Sequence, residues 1–184
     1  DFQIRNNSEL VAIYGNFTNR VLSLINKYYD GKIPNPYSKN NTDELVLNEV
    51  KSLKSRIELS LNEFKFREAV KSLINIARVG NKHLAETEPW KIKDSDPERV
   101  EQILQTSYII ITYLSVLSEP FLPFTSNKLM KMIGLNNFSW DMLDNISENI
   151  DYSFKLDKIE MLFRKIEDSE IELQINKLND NPSL

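Results

Sequence analysis

The chain has 184 residues, of which 41% are apolar and 27% charged, with a net charge of −4 and no cysteine. That is enough chain to bury a real core as one domain, and it excludes disulfides and thiolate metal sites. The acidic balance argues against a broad nucleic-acid-binding surface, so any RNA recognition must be local and specific. Disorder is expected only at the Asn/Asp/Pro-rich end, Asn179 to Leu184.

Four glycines and scarce β-type alternation leave helical periodicity as the dominant signal. There is no signal-peptide pattern and no initiator Met, and Asp1 leads almost directly into a helical pattern at Ser8. The chain therefore reads as a segment of a longer, cytoplasmic polypeptide. The first helix is expected from Ser8 to Tyr28, with Leu10, Tyr14, Phe17, Val21, Leu24 and Tyr28 as its core stripe and Asp30-Gly31 as its stop. A Pro-containing loop follows. Thr42 is the expected cap of the second helix, with Asp43 and Glu44 favourable at its positive end. Val46, Val50, Leu53, Ile57, Leu61 and Phe64 form its stripe.

After a break near Asn62 to Lys65, the third helix carries Phe66, Val70, Leu73, Ala77, Gly80 and Leu84, and ends before Glu88-Pro89-Trp90. Ser95 with Glu98 resembles a capping box for the fourth helix, Pro97 to Ser118. That helix is apolar on more than one face and should be central. Its most apolar run, Tyr108 to Leu117, is roughly half a bilayer-spanning length and reads as core. A short helix from Thr125 to Ile133, an irregular stretch in which Trp140 and Met142 pack on the bundle, and a last helix from Asp168 to Leu178 complete the pattern. The fold expected is all-α, an antiparallel helical bundle over residues 1–150 with a C-terminal helical extension over 151–184.

Catalytic and metal constellations are sparse. His83 is the only histidine, and a lone His on a helix is a surface or packing residue. No phosphate loop or nucleophile elbow occurs, so no catalytic residue and no metal ligand is assigned. Three features ask for more. Gly15 and Gly80 sit inside helices at a cost of about 1 kcal/mol each relative to Ala. Both precede an asparagine, Asn16 and Asn81. They serve either close helix packing or close approach of a ligand to the backbone. Trp90 follows a helix break with Lys91 and Lys93 beside it. It either plugs the bundle end or stacks a nucleobase, a contact of about 1–3 kcal/mol. Asn16 and Arg20 lie four residues apart on one helix face. Together they offer several donors and one carbonyl acceptor, which can match cytosine's two acceptors and one donor but not uracil.

Asn16-Phe-Thr-Asn-Arg20, Asn26-Lys-Tyr-Tyr-Asp-Gly31, Phe66-Arg-Glu-Ala, Asn81-Lys-His-Leu-Ala-Glu-Thr-Glu-Pro89-Trp90 and Pro120-Phe-Leu-Pro-Phe124 occur in one order over nearly the whole chain. In combination they resemble the anticodon-binding domain of methionyl-tRNA synthetases, in the class I aminoacyl-tRNA synthetase family. Sibling synthetases for leucine, isoleucine and valine share such a domain, and a plain helical scaffold is the alternative from another class. The resemblance implies that the partner is the tRNA anticodon loop, CAU, rather than DNA or a membrane. It implies that Trp90 stacks on the first base, Asn16 and Arg20 read that base's edge, and Pro89 is a neighbouring contact. Asn81, Gly15 and Gly80 are supporting. The His-x-Gly-His and Lys-Met-Ser-Lys signatures are absent, and Lys128-Leu-Met-Lys-Met is only an echo. The resemblance therefore places methionine attachment, with ATP, Mg and a structural Zn, in a separate catalytic domain. It also implies that the last helix packs toward that domain, leaving Ile171, Ile175 and Leu178 partly exposed here.

Overall fold

The first helix begins sooner and turns wider than its pattern predicts. In the computed structural model, which describes residues 1–36, 38, 40–135, 138–156 and 158–180 with side chains as far as 178, Phe2–Arg5, Asn6–Gly15 and Asn16–Tyr29 run on as one rod, α1 (residues 2–29). Over Asn6–Gly15 the turns widen to an i→i+5 pattern. The early start is anchored from far along the chain. Asn7 Nδ2 donates to the Ile166 carbonyl at 2.9 Å, and Asn7 Oδ1 accepts from the Ile166 N–H at 2.9 Å. The buried side of α1 centres on Tyr14, Phe17, Val21, Leu22 and Ile25, while Leu24 and Tyr28 sit half-buried at its rim. Asp30 and Gly31 end the rod in left-handed conformations. Gly31 is required there, because a Cβ would meet the Leu156 carbonyl oxygen at 2.6 Å.

Two caps differ from expectation by one or two residues. The second helix, α2 (Asn41–Asn62), is capped by Asn40 rather than Thr42, and the Asn40 side chain accepts from the Thr42 N–H at 2.9 Å. The reason is geometric: the cap residue must itself be extended, and Asn40 is, with φ −105° and ψ 131°. Phe64 has φ +58° in the connection that follows, so it leaves the stripe. It stands exposed in edge contact with exposed Phe66, ring centroids 6.4 Å apart. The third helix, α3 (Phe66–Thr87), returns along α2, and the two form the most extensive helix pair. Glu88 turns the chain in a left-handed conformation, φ +42°, into a single helical turn, α4 (Pro89–Ile92), which the sequence pattern did not show.

The central helix is α5 (Pro97–Leu117), capped by Asp96 instead of Ser95, with Asp96 Oδ1 accepting from the Arg99 N–H at 3.1 Å. It is long and apolar enough to cross a bilayer, and the bundle buries it on all sides from Thr106 to Leu117. Such a core satisfies most of its polar atoms, although the buried Ser107 hydroxyl on α5 has no partner among the described residues. Three buried tyrosines are satisfied by donating to carbonyls: Tyr14 to Leu114 at 3.1 Å, Tyr108 to Ile133 at 2.6 Å and Tyr113 to Leu143 at 3.0 Å. Then come α6 (Pro123–Met132), a 3-10 turn at Trp140–Leu143 and α7 (Ile146–Asn149). Trp140 and Met142 pack half-buried on the core, as expected.

The chain after residue 150 stays on the bundle. Lys32 and Lys155 pair in an antiparallel bridge, Leu156 is buried, and Phe163 meets the Tyr14 ring edge-on at 5.4 Å. Met161 and the last helix, α8 (Asp168–Asp180), leave apolar side chains open: on α8, Ile171 is half-buried, and Leu173, Ile175 and Leu178 are exposed. Most of the C-terminal stretch expected to be disordered lies outside the described residues.

Candidate nucleic-acid interface

The site is built where α1 crosses the C-terminal half of α3. Phe17 is fully buried and the Cζ end of its ring meets Gly80, whose added Cβ would fall 2.3 Å from Cζ. A side chain at position 80 would hold the two helices apart, so glycine here allows close packing. Gly15 does a milder version of the same thing. A Cβ there would sit 3.2 Å from the Leu10 carbonyl oxygen and 3.2 Å from Phe163 Cδ2. Asn81 faces inward: its Nδ2 donates to the Ile13 carbonyl and to the Ala77 carbonyl, each at 3.0 Å. It therefore ties α3 to the widened turns of α1 and supports the site from behind.

With Phe17 pinned, the neighbouring flank of α1 turns outward. Asn16 is exposed and Arg20 half-exposed, one helical turn apart. At the end of α3 the left-handed Glu88 and the buried Pro89 swing Trp90 to the surface. Trp90 is 39% exposed and is not among the side chains packed on the core. The Arg20 guanidinium lies over the indole, its Cζ 5.2 Å from the ring centroid. Among the described residues, the side chains of Asn16 and Arg20 and the Trp90 indole N–H have no hydrogen-bond or ion-pair partner in the protein. Of the residues singled out from sequence, Arg20 and Trp90 are thus in contact at the surface, Asn16 shares the face of Arg20, and Pro89 is the buried support of Trp90.

Other contacts were not foreseen from the sequence. Tyr28, expected in the core stripe, lies at the rim with Lys93 Nζ 4.6 Å and Lys27 Nζ 5.7 Å from its ring centroid. The available signal was Lys27-Tyr28 itself, about two turns beyond Arg20 on the same helix. Also on α3, His83 is buried, with Nε2 3.5 Å from Asp43 Oδ1. Asp43 in turn accepts both arms of the Arg99 guanidinium. No sequence spacing announces this cluster, since its members come from α2, α3 and α5. Burial holds the His83 imidazole below its usual pKa, so it is neutral at pH 7. Among the described residues no group of three or more His, Cys, Asp or Glu side chains converges to hold a metal ion.

A family model described as the anticodon binding domain of methionyl tRNA ligase matches residues 33–181. The match begins after α1. The chain is 47% identical over 178 residues to a methionine–tRNA ligase of Phocaeicola vulgatus, covering 97% of this chain and 26% of that protein. It is 48% identical over 179 residues to one of Flavobacterium psychrophilum, again covering 97% of this chain and 26% of the relative. It thus spans about a quarter of the length of these relatives. The free-state crystal structure of Mycobacterium tuberculosis methionyl-tRNA synthetase shares the fold, with a TM-score of 0.82 at 20% identity, over 90% of this chain and 34% of that one.

Proposed function

Because this chain belongs to the family of anticodon-binding domains of methionyl-tRNA ligases, we propose that it reads the first base of a CAU anticodon through Trp90, Arg20 and Asn16. The observation that carries the reading is an exposed indole with an uncommitted guanidinium 5.2 Å from its centroid. Proteins read single-stranded RNA loops by splaying bases out, stacking them on aromatic side chains and bonding their edges. The base takes the place of the guanidinium on Trp90, and the freed Arg20 forks onto cytosine O2 and N3. The Asn16 carbonyl accepts from the N4 amine. Uracil presents an N–H at N3 and a carbonyl at C4, so Arg20 meets a donor and one polar group is left unsatisfied. At about 1–3 kcal/mol for such a group, discrimination is roughly tenfold to a hundredfold.

The acidic chain is compatible with this scheme, because the specificity lies in one stack and one base edge. The longer protein would be a cytoplasmic ligase that joins methionine to tRNA with ATP and Mg, with any structural Zn, in a catalytic domain that this chain does not comprise. No step of anticodon reading passes through those groups. The test is a titration of the chain with a CAU stem-loop and a UAU stem-loop, followed by indole emission. The background is Trp140→Phe, so that only Trp90 reports. The expected result is a change in emission with a preference for CAU. Equal binding of both loops refutes the reading.

A further inference from the structure

The face that carries Arg20 continues along α1 into a second feature with no role yet assigned. Lys27 lies seven residues beyond Arg20, which is two turns and about 10 Å along the same side of the helix. Lys93 reaches the same spot from just beyond α4, with Nζ 4.6 Å from the Tyr28 ring centroid, while Lys27 Nζ is 5.7 Å from it. Among the described residues neither ammonium has a carboxylate within ion-pair distance, and the Tyr28 hydroxyl has no protein partner. Nearby Lys91 is different: it is bound to Glu88 at 2.9 Å. Two unneutralised ammonium groups held close to one half-buried aromatic ring, in a chain of net charge −4, form a local positive site with a flat apolar centre. An extended single strand advances by a similar length over one to two nucleotides. A strand that leaves its base on Trp90 therefore passes over Tyr28.

We infer that Lys27, Tyr28 and Lys93 form a backbone-binding subsite for single-stranded RNA. The two ammonium groups contact the phosphodiesters of the nucleotide next to the stacked base, and the Tyr28 ring supports its sugar or base. The inference rests on the anticodon reading for the position of the strand. The subsite itself reads charge and not sequence, since phosphate contacts position a strand while base contacts specify it. Lys91 stays with Glu88 and serves as the internal control.

The experiment measures binding of CAU and UAU stem-loops to the chain over a range of salt concentrations, comparing Lys27→Ala/Lys93→Ala with Lys91→Ala. All three positions are exposed, and melting temperature checks the fold. The double variant is expected to weaken binding of both loops about fivefold at low salt. It should lower the salt slope by about 1.4, at about 0.7 per phosphate on a single strand, and leave the CAU-to-UAU ratio unchanged. Lys91→Ala should leave the slope as it is. An unchanged slope in the double variant, with the CAU preference intact, overturns the subsite alone. A lost slope in a chain that binds both loops equally supports the subsite and overturns the base reading. Failure of the parent chain to bind either loop at low salt overturns both.

Discussion

Replacing Gly80 by alanine puts a methyl carbon where the Phe17 ring already lies. The three nearest ring atoms would be 2.3, 2.5 and 2.6 Å away, against an optimal carbon–carbon separation of about 3.5–4.0 Å. The shortfall exceeds an ångström. Phe17 cannot swing into solvent, because it is fully buried, so α1 and α3 must separate or the core must repack. Overpacking of this kind costs about 1–3 kcal/mol. With contacts this short the cost falls in the upper part of that range, about 2–3 kcal/mol; removing a mid-helix glycine returns about 1 kcal/mol, so the net loss is about 1–2 kcal/mol. For a chain of this size that lowers the melting temperature by about 2–8 °C.

The displaced residues adjoin the binding site. Asn16 precedes Phe17, Arg20 is one turn beyond it, and Trp90 hangs from the end of α3, so the CAU-to-UAU preference should also fall. Thermal melting and stem-loop titration of Gly80→Ala read the two effects together. Gly15→Ala is the contrast, since its contacts at 3.2 Å need only a few tenths of an ångström of relief, and its stability should barely move. A Gly80→Ala chain that melts at or above the parent temperature refutes the argument: it would mean that the Phe17–Gly80 contact does not set the helix separation.

Trp90→Ala should weaken CAU stem-loop binding by about 1–3 kcal/mol, with melting nearly unchanged. A large drop in melting temperature would make Trp90 a packing residue. Arg20→Lys should lose most of the preference for CAU, because lysine lacks the planar fork, and retained preference would exclude direct edge reading by Arg20. Asp43→Asn should destabilise the chain by about 3 kcal/mol in chemical denaturation, since it strands a mostly buried Arg99 without its anion; a shift in the midpoint of a few tenths of that size refutes a structural role for the pair. His83 supplies a pH test. Its folded pKa lies below the unfolded value near 6.5, so the unfolded chain takes up a proton that the folded chain resists. Its contribution is therefore complete above pH 6.5 and is lost as the pH falls from there toward the folded pKa. Melting temperature should decline from pH 7.5 to 5.5, and His83→Gln should flatten that decline. Because His83 is the only histidine, an unaltered decline in the variant would refute the assignment. The salt-bridged carboxylates Glu160 and Glu170, both held down to about pH 2 by their cationic partners, titrate well below this window.

The helices and their order were legible in sequence because a helix buries one face, and that face repeats every three to four residues. Val50, Leu53 and Ile57 on α2, and Leu73, Ala77 and Leu84 on α3, are buried as their spacing requires. So is the whole of α5 beyond Thr106. Local chemistry was readable only to within a residue or two: Asn40 and Asp96 took the caps expected of Thr42 and Ser95, because the cap is decided by which residue is extended. Arg20 and Trp90 could be named from sequence, but their contact could not, since it depends on a left-handed turn at Glu88 and on the approach of α1 to α3 at Gly80. The same holds for Tyr28, which periodicity assigned to the core. The widened turns of Asn6–Gly15 and the deeper burial of Leu22 and Ile25 leave it at the rim beside two lysines. The sequence by itself determined which faces are apolar and which residue types are available for binding a base. Only the tertiary structure decided which side chains are released from the protein to do it, because exposure and pairing depend on neighbours far apart along the chain.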